Sequence, residues 1–282
     1  MDFEDSTEEA TFRDEAREWL SANIPTEAEL SNLTELQRAK LWQKKKADAG
    51  WACIRWPQAY GGREATAMQQ VILQQEEEKL DVPNTSRFFG IGQGMAGPTL
   101  MAWASDADKE RFLPDLASGA KVWCQLFSEP AGGSDLAALR TRAERDGDDW
   151  IVNGQKIWTS GAHYSDWGIL VLRTDPSVAK HKGLTYFFVD MKSEGIDIKP
   201  IKQISGESDF NEVYFTNVRI PDSQRLGDVG QGWQVALTTL MNERASIGAG
   251  NSAVNFESLK ALAQRVTING KPAIEDPAVR AR

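Results

Sequence analysis

The 282-residue chain is poor in the residues that build metal and redox sites. It has two cysteines, Cys53 and Cys124, and two histidines, His163 and His181. That count excludes a disulfide framework and a Cys-rich zinc site, and leaves little for imidazole catalysis. Cationic excess is missing too: 32 Lys and Arg stand against 41 Asp and Glu, a net charge of −9. Nucleic acid and anionic membrane, which select a basic footprint, are excluded as main partners. No apolar run approaches the roughly 20 residues of a membrane span. The acidic start Met1-Asp2-Phe3-Glu4-Asp5 lacks the basic and apolar pattern of a signal peptide. Repeats and low-complexity tracts are absent. What remains is a chain 41% hydrophobic and 26% charged, able to build a core, with about two domains at roughly 150 residues each. The composition predicts a soluble, acidic, cytoplasmic protein.

The first third is helical in pattern. Ser6 and Glu9 have capping-box spacing. Phe12, Ala16, Trp19 and Leu20 follow at helical intervals, and Ile24-Pro25 ends the run. A second helix is predicted over 34–49, stopped by Gly50, and a third over 64–80 with Met68, Val71, Ile72 and Leu80 inward. The aperiodic stretch 51–62 reads as a loop. Shorter helices are predicted over 97–104 and 106–116, the latter opened by Ser105 and Asp108. The run Glu76-Glu77-Glu78-Lys79 reads as a solvated helix face.

Near Gly119 the pattern changes to short, β-rich apolar runs bounded by turn residues. Strands are predicted over 122–128, 150–153, 167–173, 184–191, 196–199 and 210–220, with turns at Pro130–Gly133, Asp146-Gly147-Asp148, Asn153-Gly154 and Glu194-Gly195. Close spacing without intervening helices predicts an antiparallel sandwich or barrel. After Asp228 the helical period returns. Ala236, Leu240 and Ile247 share a stripe, and the helix is predicted to run to about 263 with a break near Gly248–Gly250. The segment 272–282 has capping signals but nothing to pack against, so the chain reads as stopping inside a helical domain. The fold class is α+β multidomain: a helical domain over 1–118, a middle antiparallel β domain over 119–228 and an incomplete C-terminal helical domain over 229–282.

Four features could carry chemistry. Gly92 to Gly97 fits G-x-G-x-x-G, but helices surround it where a dinucleotide fingerprint needs a strand and a βαβ unit, so it reads as a flexible loop opening a helix. The run Ser128-Glu129-Pro130-Ala131-Gly132-Gly133-Ser134-Asp135 follows a strand. It is either a polar turn or a loop whose hydroxyls and free amides approach a planar ring or a phosphate. Asn153-Gly154 is a type I′ hairpin signal, followed by a strand carrying Trp158, Thr159 and Ser160. Trp158 either fills a β core or walls an aromatic cofactor whose polar edge the hydroxyls bond. Glu243 lies on the apolar stripe, three residues after Leu240 and four before Ile247. A carboxylate there is paired with a cation at an interface or at work as a base. Cys53 and Cys124 have no nearby base and read as inert; Trp233 reads as packing.

Taken in order, these motifs resemble the acyl-CoA dehydrogenase family of flavoproteins over essentially the whole chain. Trp56-Pro57-Gln58-Ala59-Tyr60-Gly61-Gly62, the run from Phe127 to Asp135, Asn153 to Ser160, Phe210 to Pro221 and Gly230 to Arg244 are each similar to a family element. The resemblance implies an N-terminal helical domain, a middle β domain and a C-terminal four-helix bundle, here only begun. It also implies FAD as cofactor and a tetramer formed through the bundle. Phe127 and Ser128 match positions that face the flavin pyrimidine, and Ser134 one that contacts FAD phosphate or the CoA moiety. Trp158 matches the aromatic residue beside the isoalloxazine, and Ser160 the hydroxyl near flavin N5. Gln125 stands where some members carry an aromatic residue. Glu243 matches the catalytic base of a minority of members, the majority placing theirs later in the bundle.

The implied activity is α,β-dehydrogenation of an acyl-CoA to the 2,3-enoyl-CoA, with electrons passed to an electron-transferring flavoprotein. Two alternatives stay open: a non-catalytic subunit of a hetero-oligomer, and a flavin monooxygenase or acyl-CoA oxidase of the same fold.

Overall fold

Hydroxyl-capped helices open the chain. In the computed structural model, which describes residues 5–247 and 256–280, α1 (Thr7–Ala22), α2 (Glu27–Leu30), α3 (Glu35–Asp48) and α4 (Ala67–Glu77) each begin at a complete capping box, formed by Ser6/Glu9, Thr26/Glu29, Thr34/Gln37 and Thr66/Gln69. The first and second predicted helices are present as α1 and α3; the short α2 has no apolar period to announce it. Phe12, Leu20, Trp42, Trp51, Ile54 and Ile72 form the core between them, with Trp19 stacked against Trp42 and Trp51.

Two expectations about α4 fail together. Met68 and Val71 face outward, and Glu76 is buried. Arg13 Nη1 and Arg17 Nε each donate to Glu76 at 3.0 Å, and Lys79 Nζ does so at 2.7 Å. Glu77 accepts from Trp42 Nε1 at 2.7 Å and Lys46 Nζ at 2.8 Å. The first half of the charge run, Glu76 and Glu77, is therefore an ion-pair seam to α1 and α3, while Glu78 and Lys79 are exposed as predicted.

The helices α5 (Ser86–Ile91) and α6 (Gly97–Trp103) are joined by a π turn over Gly92–Ala96. The G-x-G-x-x-G run is thus buried helix, not a flexible loop. Two of its glycines serve packing: a Cβ on Gly97 would collide with the Trp56 ring, and one on Gly92 would meet Leu116 Cδ2 at 2.7 Å. Then α7 (Asp106–Ser118), with Ser105 accepting from the Asp108 amide, closes the helical part.

The strands β1 (Trp123–Leu126), β2 (Arg142–Asp146), β3 (Asp149–Ser160), β4 (Trp167–Arg173), β5 (Leu184–Asp190), β6 (Ile196–Pro200), β7 (Phe210–Pro221) and β8 (Arg225–Leu226) make one eight-stranded sheet. Its order is β6-β7-β3-β2-β4-β5-β8, with β1 also paired to β4. The predicted antiparallel sheet is corrected to a mixed one. β1 runs parallel to β4, Trp123 opposite Trp167, and β2 meets β4 in parallel at Arg142 and Arg173. Parallel neighbours need a long crossover, which the loop after β1 and the β2–β3 hairpin supply; residue alternation carries no information on direction. Asn153-Gly154 is also corrected. The hairpin turn lies at Gly147 and Asp148, and β3 runs straight through Gly154. The ladder to β7 shifts there, and Gly154 passes so close to Thr141 that a Cβ would meet Thr141 Cα at 2.7 Å.

The helix α8 (Gly232–Ile247) closes the first of two units, Met1–Ile247. The second, Gly248–Arg282, holds α9 (Phe256–Arg265), a hairpin of β9 (Thr267–Ile268) and β10 (Lys271–Pro272), and α10 (Pro277–Arg280). Within it the start of the predicted 272–282 segment does find something to pack on: Ala273 is buried, and its amide donates to Val266 O at 2.7 Å. The break predicted near Gly248–Gly250 lies outside the described residues.

Candidate functional site

On β3, Trp150, Val152 and Lys156 point inward in regular alternation. The ladder to β7 then shifts between Lys156 and Thr159. Trp158 occupies the shift with φ +60° and is 57% exposed. A bulky residue in the left-handed region costs about 1–3 kcal/mol and persists only where its surroundings impose it. The shift turns Thr159 inward, and its hydroxyl is buried with no partner among the described residues. Ser160, half-buried, pairs with Phe210, whose ring meets Trp158 edge-on at 6.2 Å.

The loop after β1 lies against this bulge. Phe127 buries its ring edge-on to Tyr186, 5.8 Å between centroids, so only its backbone is available to a ligand. Lys156 Nζ donates to Phe127 O at 3.1 Å, and the Ile157 amide donates to Ser128 O at 2.9 Å. Ser128 is half-buried. Ser134 is exposed further along the loop, beside Asp135, whose carboxylate holds Lys180 at 2.7 Å.

Glu243 reaches the same region from α8. Buried Val235, Ala236 and Thr239 seat that helix. The Thr239 hydroxyl is 2.9 Å from Tyr186 Oη and 2.8 Å from Thr99 Oγ1, and Trp103 Nε1 donates to Thr238 at 2.9 Å. One turn on, half-buried Glu243 accepts a hydrogen bond from Gln125 Nε2 at 3.4 Å. Gln125 is on β1, two residues before Phe127. Ala236, Leu240 and Glu243 keep the predicted inward stripe; the Ile247 side chain lies outside the described residues.

Phe127, Ser128, Trp158, Ser160 and Glu243 are thus linked through β1, β3 and α8, while Ser134 is tied to none of them by a hydrogen bond. An exposed indole on constrained backbone beside the half-buried Ser160 hydroxyl suits a planar group with a polar edge, so these residues fit a flavin. Burial pushes both cysteine thiols up to about 12, which makes them inert. Among the described residues, no cluster of His, Cys, Asp or Glu could hold a metal ion.

Comparison with known proteins decides the family. Profiles described as acyl-CoA dehydrogenase N-terminal, middle and C-terminal domains match residues 6–120, 124–218 and 230–282. The chain belongs to the acyl-CoA dehydrogenase family. Its members are FAD-dependent oxidoreductases. Acyl-CoA dehydrogenase IpdE1 of Mycobacterium tuberculosis is 37% identical over 282 residues, covering 96% of this chain and 71% of that protein. Among solved structures, the Tcur3481-Tcur3483 steroid ACAD aligns with TM-score 0.81 and 32% identity over 100% of this chain and 72% of its own. The ChsE4-ChsE5 complex from Mycobacterium tuberculosis aligns with TM-score 0.73 and 29% identity over 100% and 74%. No helix among the described residues is long and apolar enough to cross a membrane.

Sequence reasoning missed two connections in this member of the acyl-CoA dehydrogenase family. The Gln125–Glu243 contact joins residues 118 apart and leaves no local signal. The Glu129–Lys156 ion pair at 2.8 Å is buried on both sides, and it did leave one. Lys156 occupies an inward position of an alternating strand, which demands a counter-charge.

Proposed function

We propose that this protein is an FAD-dependent acyl-CoA dehydrogenase that converts an acyl-CoA to its 2,3-enoyl-CoA in the cytoplasm and passes the electrons to an electron-transferring flavoprotein. The observation that carries the reading is the convergence of Glu243, through Gln125, on the strand end that opens into the Phe127–Ser128 loop. Glu243 takes the proton from the carbon α to the thioester and becomes the carboxylic acid. Gln125 donates to the Glu243 carboxylate and orients it. Phe127, through its backbone, and Ser128 hold the pyrimidine end of the cofactor, Trp158 walls its ring, and Ser160 bonds the polar edge. Ser134 serves the phosphate or the CoA. FAD, when bound, accepts the hydride from the β carbon. A positioned general base contributes about 10²–10⁴-fold to such a step.

The likeness to a steroid ACAD directs substrate tests to polycyclic and branched acyl-CoAs alongside straight chains. The likeness to a two-protein complex supports a tetramer that contains either this chain alone or a partner as well. The test is an anaerobic titration of the flavin-loaded protein with an acyl-CoA panel. Bleaching of the visible flavin bands by one acyl class supports the dehydrogenase reading and names the substrate. A flavin that none of them bleaches overturns it in favour of a non-catalytic subunit or an oxygenase. The Glu243→Gln protein retains FAD and loses bleaching rate by about 10²-fold or more; an unchanged rate moves the base elsewhere.

A further inference from the structure

We propose that Lys156 and Glu129 are positioning residues that clasp the two walls of the cofactor site, the Phe127–Gly132 loop and the Trp158 bulge, into one piece. The functional meaning of the clasp rests on the flavin-site assignment above; the clasp itself rests on geometry. Lys156 Nζ donates to Glu129 Oε1 at 2.8 Å and to Phe127 O at 3.1 Å. The other contacts of Glu129 fasten it in turn. Oε1 accepts from the Thr141 amide at 3.0 Å and Oε2 from the Arg140 amide at 2.6 Å. Its own backbone exchanges hydrogen bonds with Gly132 at 2.9 and 3.0 Å. Ile157, the next residue on β3, donates to Ser128 O at 2.9 Å. One ion pair therefore fixes the loop at Phe127 and Glu129, the start of β2, and the last regular residue before the bulge.

A buried ion pair is a poor way to gain stability, because desolvation offsets the Coulomb attraction and apolar replacements of both partners are often as stable. What such a pair supplies is a unique arrangement. Burial pulls the Lys156 amine below its ordinary range, and the Glu129 carboxylate beside it opposes that pull. Burial opposes ionisation of Glu129, but Lys156 and the neighbouring donors outweigh it and hold the carboxyl below its ordinary range. Each partner favours the charged form of the other, and this attraction holds the pair together. It specifies where the Phe127 and Ser128 backbone stands relative to Trp158.

The test separates placement from stability. In the full chain, Lys156→Met with Glu129→Gln removes both charges and keeps one carboxamide oxygen to accept from the Arg140 or the Thr141 amide. Three quantities are read: thermal midpoint, FAD dissociation constant by flavin fluorescence, and amide hydrogen exchange at 127–132 and 157–160. The expected result is a midpoint near the parent's, FAD affinity reduced about tenfold or more, and faster exchange in both segments. Parent-level affinity and protection in the folded double variant overturn the proposal. Glu129→Gln alone leaves the buried Lys156 amine without its counter-charge, so its midpoint falls; weaker FAD binding and faster exchange confined to the two segments are still expected, and it serves if the double variant does not fold. A parent chain that takes up no FAD sinks the site assignment instead. Exchange then decides the clasp by itself: faster exchange upholds it and parent-level protection overturns it.

Discussion

The hydroxyl of Thr239 lies 2.9 Å from the phenolic oxygen of Tyr186, both groups fully buried, one helical turn before Glu243. The contact fixes the rotation of α8 on β5 and thereby the face that Glu243 presents. Thr239→Val leaves the hydroxyls of Tyr186 and Thr99 without this partner and costs about 1–3 kcal/mol. Tyr186→Phe removes one partner's hydrogen-bonding group but leaves the Thr99–Thr239 bond, and costs about 1 kcal/mol. Urea midpoints in the two variants check the order. Equal losses would mean that the contact is packing alone.

Acid stability turns on Glu76. Burial would raise its carboxyl, but the hydrogen bonds from Arg17, Lys79 and Arg13 hold it at about 2, below the ordinary 4.5. A carboxylate depressed in the folded state contributes stability that is present above pH 4.5 and lost as pH falls toward 2. The contribution is about 3 kcal/mol at most. Glu76→Gln lowers stability at pH 7 and flattens the curve of stability against pH over that window. An unaltered slope would show that other carboxylates carry the acid transition.

The contact between Gly97 and Trp56 has no slack. Gly97→Ala forces a methyl into the indole and costs about 1–3 kcal/mol by overpacking. It acts through the helical core and not through any phosphate. The variant therefore melts lower, while the FAD dissociation constant of the folded fraction stays at the parent value. A selective loss of FAD would restore a ligand-binding role for that glycine run.

Trp158 carries backbone strain that its proposed place beside the cofactor would offset. Asn tolerates the left-handed region better than Trp, so Trp158→Asn melts no lower than the parent and binds FAD more weakly, a trade of activity against stability. Calorimetry with and without FAD checks it. A midpoint more than about 3 °C lower would mean that the edge contact with Phe210 outweighs the strain.

The parts of the fold legible in the sequence were those written locally. Ser6 with Glu9 and the Phe12, Ala16 and Leu20 spacing define α1, and the apolar runs at 167–173 and 184–191 match β4 and β5 closely. Strand direction was not written there, since an alternating strand reads the same in either sense. The Asn153-Gly154 dipeptide gave a turn signal that the long pairing of β3 with β7 overrides. Glu76 looked solvated because its neighbours are charged; the arginines that bury it come from α1, some 60 residues earlier in the chain. Of the candidate site, Glu243 stood out because a carboxylate on an apolar stripe is anomalous. Gln125 and Glu129 did not, because each takes its meaning from a residue far away in sequence.

Ten tryptophans make this chain bright in the near ultraviolet. Nine of them are buried or half-buried; only Trp158 holds its indole mostly in water. Its emission is the reddest of the ten and the one that a soluble quencher such as iodide reaches first. A flavin stacked on it would shield it and drain its excited state by energy transfer. The residue proposed to wall the cofactor is also the molecule's own optical gauge of occupancy, readable without a label.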